Sequence, residues 1–230
     1  MKINANFDQR VVVHSEQMKW LDSPMPGVSR RPLDRVGGEV ARATSIVRYA
    51  PKSQFSPHIH TGGEEFIVLE GVFQDESGDF PVGSYIRNPP QSKHQPSSEA
   101  GCVIFVKLWQ FEPEDRIHIR LNTAFMQAIP HKKLSGISVT PLYKDHSEEV
   151  ANFDLDANAR LQMTVKGGAE IFVLKGELKE GSDTLVKHSW LRIPVDGKLD
   201  IKAAVQGATI WIKQGHLRRV DAEILRVQGV

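Results

Sequence analysis

The chain has 230 residues, 40% of them hydrophobic and 25% charged, with 29 basic against 28 acidic side chains and a formal net charge of +1. That length holds one large domain or two of about 110 residues each, and is ample for a buried core. The even charge argues against a nucleic-acid partner, no apolar run approaches the ~20 residues that span a bilayer, and the single cysteine, Cys102, excludes an intrachain disulfide.

The opening MKINANFDQR lacks the apolar stretch of a secretory signal, so the expected location is the cytoplasm. Along the chain, segments rich in Val, Ile, Phe and Tyr predict strands over Ser45 to Tyr49, Glu65 to Leu69, Val82 to Arg87 and Val103 to Lys107. The turn clusters APKS, ESGD, NPPQSK and SSEAG separate them. Beyond a joint near Glu112 to Arg116, strands are expected over Ile171 to Leu174, Trp190 to Ile193 and Thr209 to Lys213. Glu148 to Ala151 reads as a turn, and Asp221 to Val227 as a short helix. Many short strands with frequent turns point to a sandwich or barrel.

The strands belong to a repeat. Gly27-Val28-Ser29-Arg30-Arg31-Pro32-Leu33 recurs as Gly136-Ile137-Ser138-Val139-Thr140-Pro141-Leu142, and Glu39-Val40-Ala41 as Glu149-Val150-Ala151. GGEEFIVLEG, from Gly62 to Gly71, recurs as GGAEIFVLKG, from Gly167 to Gly176. Ser84-Tyr85-Ile86-Arg87 with Pro89 matches Ser189-Trp190-Leu191-Arg192 with Pro194. Matches in the same order imply two copies of one unit: a first domain over residues 1–115 and a second over 116–230.

The informative stretch is Pro57-His58-Ile59-His60-Thr61-Gly62-Gly63-Glu64-Glu65-Phe66. On a strand, His58 and His60 point to one face. A Gly-Gly turn then returns the chain, and Glu64 is expected to begin the antiparallel partner strand. A fourth donor must come from elsewhere, and His94 follows the next strand and the NPPQSK turn. Three imidazoles and a carboxylate suit Zn, Fe, Ni, Cu or Mn. A His-x-His pair alone is as consistent with two surface side chains; Glu64, Gly71 and His94 at their spacings favour the metal.

The pattern His-x-His-x3-Glu-x6-Gly, filled by His58, His60, Glu64 and Gly71, resembles the first cupin motif. The second cupin motif is matched by Pro81-Val82-Gly83 with His94, although this His lies further from the glycine than usual and no Asn follows it. More closely, GGEVARATSIVRYAP, PHIHTGGEEFIVLEGVF, YIRNPP and GCVIFVKL resemble the cupin domain of ChrR-type anti-sigma factors, strongly over the first half and as a degenerate copy over the second. The resemblance implies an all-β fold: a double-stranded β-helix, or jelly-roll, bicupin. It also implies one divalent metal, zinc ahead of iron, on His58, His60, Glu64 and His94. A sigma factor is a partner by resemblance only, because the Cys-x-x-Cys of the family's helical sigma-binding module has no counterpart here.

Aligning Gly167 with Gly62 puts Met163, Val165 and Ala169 where His58, His60 and Glu64 stand, and His94 falls at about Leu199 or Asp200, so the second copy is expected to hold no metal. Glu65 should face away from Glu64, as a solvated or salt-bridged side chain rather than a base. Tyr85 and Arg87 share a face and could line the first barrel; Trp190 and Arg192 repeat that pairing without a metal, which favours a structural role. Cys102 reads as a buried small hydrophobe. His14, His118, His131, His146, His188 and His216 have no partner at metal-ligand spacing. Two functions are expected: a ChrR-like regulatory cupin responding to a small molecule in stress-dependent transcription, or an iron dioxygenase acting on a small diketone or hydroxyketone. Cupins commonly pair sheet edges, so a homodimer is also expected.

Overall fold

The computed structural model describes residues 1–229. Its chain divides into two compact units drawn from interleaved segments. The first takes Met1–Ala5, Lys19–Phe125 and the segment that begins at Asp221; the second takes Asn6–Met18 and Met126–Val220. Three segments therefore depart from a division at residue 115, the first being residues 116–125, which stay with the first unit. Asn6–Met18 precedes the first unit but joins the second, and the segment from Asp221 follows the second but joins the first.

Each unit is built on antiparallel strands with the same order. In the first, the path runs Lys2–Ile3, Val28–Gly37, Ala41–Tyr49, Cys102–Leu108, Glu64–Asp75, Ser84–Asn88, Ile119–Asn122. In the second it runs Ile129–Pro130, Ile137–Lys144, Glu149–Leu155, Gly197–Gln214, Ala169–Glu180, Ser189–Ile193, Val11–His14. The registers repeat too. Glu64 lies opposite Asn88 and Glu65 opposite Arg87, as Ala169 lies opposite Ile193 and Glu170 opposite Arg192. This is the jelly-roll barrel of the cupin fold, twice over.

The expected strands are present and longer than their apolar centres suggest: Ala41–Tyr49, Glu64–Asp75, Ser84–Asn88 and Cys102–Leu108 in the first unit, and Ala169–Glu180, Ser189–Ile193 and Gly197–Gln214 in the second. The C-terminal helix runs Val220–Gln228. Glu148 to Ala151 is not a turn, because Glu149–Leu155 is a strand bonded to Ile137–Lys144 and Gly197–Gln214. Polar residues mask its alternation: Ala151, Phe153 and Leu155 enter the core, whereas Asn152 and Asp154 face away.

Core packing separates the two units. Phe66, Val68, Phe73, Ile86, Ile104 and Val106 cluster inside the first. The interior of the second is apolar through the positions aligned with the histidines and Glu64. Val165, Ala169 and Leu199 are buried in its core, and Met163 packs against it. The ladder fixes the alignment of His94: it pairs with His58 just as Leu199 pairs with Met163. The second barrel thus fills with hydrocarbon the space where the first carries polar donors.

Candidate metal centre

His58–His60 and Ser92–His94 form a two-stranded ladder, with His58 opposite His94 and His60 opposite Ser92. The expected hairpin between the His-x-His strand and the Glu64 strand is absent. Glu64 instead pairs with Leu108 and Asn88, on strands that flank its own. The Gly62-Gly63 corner carries it there: Gly63 has φ +80°, and a Cβ on Gly62 would sit 2.0 Å from the Trp109 ring. Non-local pairing, not the local turn, thus brings His94 beside the other donors.

The donor atoms of His58, His60 and His94 all lie within 4.8 Å of one another, a grouping able to hold a metal ion. His60 Nε2 and His94 Nε2 are 2.8 Å apart. Glu64 Oε2 is 3.4 Å from His60 Nε2 and 3.6 Å from His94 Nε2. Donors about 2.1 Å from one small ion, at tetrahedral or octahedral angles, are separated by roughly 3.0–3.4 Å, a range that the 2.8, 3.4 and 3.6 Å separations bracket.

The surroundings orient these donors. His94 Nδ1 faces Asp75 Oδ2 at 3.4 Å, and His58 Nδ1 faces the Ser56 carbonyl oxygen at 3.1 Å. A proton held on Nδ1 by such an acceptor leaves Nε2 with a lone pair aimed into the cluster. Asn88 Nδ2 donates to Glu64 Oε2 at 3.2 Å, which positions that carboxylate. Burial lowers the His60 pKa despite the opposing pull of Glu64, keeping the ring neutral, as a ligand must be. Burial alone would lower His94 as well, but the hydrogen bond to Asp75 and the charge of Glu64 raise it.

Asp75 carries no sequence signal. Asp75 ends a strand beside a hairpin turn, where an aspartate is unremarkable; only the folded ladder places it against His94. Asn88 could have been suspected from its repeat partner, Ile193, since an amide in one copy is replaced by hydrocarbon in the other.

Glu65, Tyr85 and Arg87 lie on the other face of the sheet. The Tyr85 hydroxyl donates to Glu65 Oε1, and Arg87 reaches Asp115 at 2.7 Å and Glu65 at 3.8 Å. Glu65 is therefore buried and ion-paired rather than solvated, and Tyr85 and Arg87 do not line the donor cavity. The second unit repeats the device, with Glu170 accepting from Trp190 Nε1 at 3.0 Å and paired with His216 Nε2 at 2.9 Å. Cys102 is buried, and burial pushes its thiol up to about 11.

His58, His60 and Glu64 border a cavity of about 480 Å³ whose wall includes Ala43, Val47, Tyr49, Ile104 and Val106. Burial foremost, then the nearby Glu64 carboxylate, raises the Tyr49 hydroxyl far above the ordinary phenol range, so it stays a proton donor. A donor cluster at the wall of such a cavity can bind an ion and a small molecule side by side.

Jelly-roll barrel and inward-facing histidine cluster together define a cupin. More narrowly, residues 8–112 match the family model of the ChrR Cupin-like domain. Solved structures share the fold across nearly the whole chain. A Nostoc punctiforme PCC 73102 protein provisionally assigned as a dioxygenase is 18% identical, with a TM-score of 0.75 over 91% of this chain and 84% of its own. The bacterial pirin YhhW from Escherichia coli, solved with nickel(II), is 13% identical, with a TM-score of 0.65 over 90% and 99%. A variant of oxalate decarboxylase from Bacillus subtilis is 10% identical, with a TM-score of 0.58 over 89% and 76%. No curated protein matches the sequence. Among the described residues, no helix is long and apolar enough to cross a membrane.

Proposed function

We propose that the first barrel binds one divalent metal through His58, His60, Glu64 and His94, and that the chain works as a sensor of the ChrR type. A small ligand entering the cavity would act through that centre on stress-responsive transcription. The observation that carries this reading is the convergence of three imidazoles and a carboxylate, with His58, His60 and Glu64 bordering a cavity. The ChrR Cupin-like match over the same residues supports the regulatory role. Zinc is the first choice of metal and iron the second. A sigma factor and a second copy of this chain are the proposed partners.

The residues fit a metal chemically. His60 is held neutral, His58 and His94 have acceptors for their outer ring protons, and Asn88 steadies Glu64. A bound divalent ion would supply Lewis-acid polarisation of an oxygen donor in the cavity. The chain's own residues would do the rest. Apolar walls exclude water from an occupied cavity, and protonated Tyr49 can donate to a ligand oxygen.

The cavity also favours a second reading, an iron-dependent dioxygenase acting on a small diketone or hydroxyketone. Four protein donors leave two positions of an octahedron free, and the space beside them admits a molecule of that size. The likeness to the Nostoc protein points the same way.

Elemental analysis of purified protein beside a His58→Ala, His60→Ala double variant tests the proposal. About one zinc per chain, lost in the variant, is the expected result and directs attention to partners. About one iron, lost likewise, transfers the claim to the dioxygenase and to oxygen uptake with small diketones. No metal in either protein refutes both.

A further inference from the structure

Two arginines face the cavity beside the donor cluster, and neither has a carboxylate partner among the described residues. Arg30 and Arg35 lie on the strand Val28–Gly37 and border the same cavity as His58, His60 and Glu64. Residues five apart on a regular strand point to opposite faces. Here a β-bulge between Pro32 and Asp34 shifts the register, so that Arg30 lies opposite Val47 and Arg35 opposite Ala43, both cavity residues. The extra residue turns Arg35 to the side of Arg30.

Their hydrogen bonds go to neutral groups. Arg30 Nη2 donates to Ser23 Oγ at 2.5 Å, while its Nε is buried without a partner. Arg35 Nη2 donates to the carbonyl oxygens of Gly38 and Glu39. Glu39 and Glu64 also border the cavity, yet neither forms an ion pair with either arginine. The contrast lies within the same barrel, where buried Arg42 meets Glu223 at 2.7 Å and Arg87 meets Asp115 at 2.7 Å. Burial foremost, and then Arg30 itself, lowers the Arg35 pKa, as expected for two cations on one wall of a cavity.

The repeat supplies an independent observation. In the second barrel Arg30 is replaced by Val139 and Arg35 by Lys144, on a strand with the same bulge after its proline. Lys144 is neutralised by Glu149 at 3.0 Å. The barrel without metal donors thus lacks the unpaired cations as well.

We propose that the Arg30–Arg35 pair receives the carboxylate of a small organic acid, whose apolar body lies against Ala43, Val47, Ile104 and Val106 and whose far end reaches the imidazole cluster. This extends the proposed function by naming its ligand class; the carboxylate step itself needs no metal. Planar guanidinium groups suit a carboxylate, and neither is ion-paired with the Glu39 or Glu64 carboxylate on the cavity wall.

Calorimetric titration of the full chain, metal-loaded and chelator-treated, with heptanoate and heptan-1-ol tests the assignment, with metal content measured on the same samples. Heptanoate is expected to bind both forms, and more tightly than the alcohol. Arg30→Gln and Arg35→Gln should each weaken heptanoate by roughly tenfold or more, the loss of a charge-assisted hydrogen bond, while metal content stays unchanged. Both variants should melt close to wild type, since each removes a cation that has no counter-ion. Equal binding of acid and alcohol, no heptanoate binding at millimolar concentration, undiminished binding in the variants, or a marked fall in both melting temperatures would overturn it. A chain that takes up no metal when loaded, yet still prefers heptanoate, would sink the metal proposal and leave this one standing.

Discussion

Replacing Asp75 by Asn tests whether the cluster is a metal centre or only a knot of histidines. The Asp75 side chain is 1% exposed and its Oδ2 faces His94 Nδ1 at 3.4 Å, so it orients the ring whose Nε2 meets Glu64 and His60. Asparagine keeps the size and can still accept the Ser77 amide, which bonds Oδ1 at 2.7 Å. What it loses is the charge. A charge-assisted hydrogen bond contributes about 1.5–3 kcal/mol, and 3.4 Å is long for one, so the low end applies: about 1.5 kcal/mol, or roughly tenfold in metal affinity. Competition titration of wild type and variant against a chromogenic chelator reads this directly. Affinities within about twofold of each other would refute the claim that Asp75 prepares His94 as a ligand. In metal-free protein the same pair gives a pH signature. Burial by itself would raise Asp75, but the hydrogen bond from His94 and the Ser77 amide lower it; His94 is raised. The His94 contribution is complete below about pH 6.5 and lost as pH rises through its folded value, and that of Asp75 is complete above about pH 4 and lost as pH falls through its depressed value. The pair therefore stabilises most between those limits, and Asp75→Asn should flatten the stability profile of the metal-free protein there.

Three further outcomes are expected. Glu223→Gln removes the partner of Arg42, whose side chain is 0% exposed, and should cost about 3 kcal/mol in urea unfolding because Asp34, at 3.6 Å, compensates only in part; a cost under about 1 kcal/mol would show the pair to be dispensable. Cys102, with its thiol at about 11, carries a thiolate fraction on the order of 10⁻⁴ at neutral pH, so a thiol reagent should label it only after denaturation, and fast native labelling would contradict that. Burial alone would raise the Asp145 carboxyl, but the amides of Ser147 and Glu148 at 2.7 and 2.8 Å, joined by hydroxyl donors, hold it at about 2. A depressed carboxyl stabilises above its ordinary value and loses that contribution as pH falls through the folded one, so Asp145→Asn should lose less stability than wild type on acidification from about pH 4 to 2, measured by thermal melts.

The barrel plan was legible because a duplicated sequence states its strands twice: Glu64–Asp75 and Ala169–Glu180 begin at aligned residues and have the same length. The convergence of His58, His60 and His94 beside Glu64 was legible from spacing and motif. The ladder that joins His58 to His94 was not, since a Gly-Gly corner reads as a hairpin until Glu64 is seen to bond elsewhere. Asp75 and Asn88 act on donors distant in the chain, where local pattern is silent. Arg35 was hidden by parity: counted along an unbroken strand it belongs to the wrong face, and only the bulge after Pro32 reveals its direction.

The interleaving of the units bears on why a donorless copy is kept. Severing the chain at residue 115 would strip Ile119–Asn122 and the Glu223 helix from the first barrel, and Val11–His14 from the second. Ser84–Asn88 and Ser189–Ile193 would then become raw edges, templates for fibrous association, and Arg42 would lose Glu223. Each copy holds in trust a strand that the other needs to close. A duplication knitted in this way resists reversal, because neither barrel keeps its closing strand when the copies are parted.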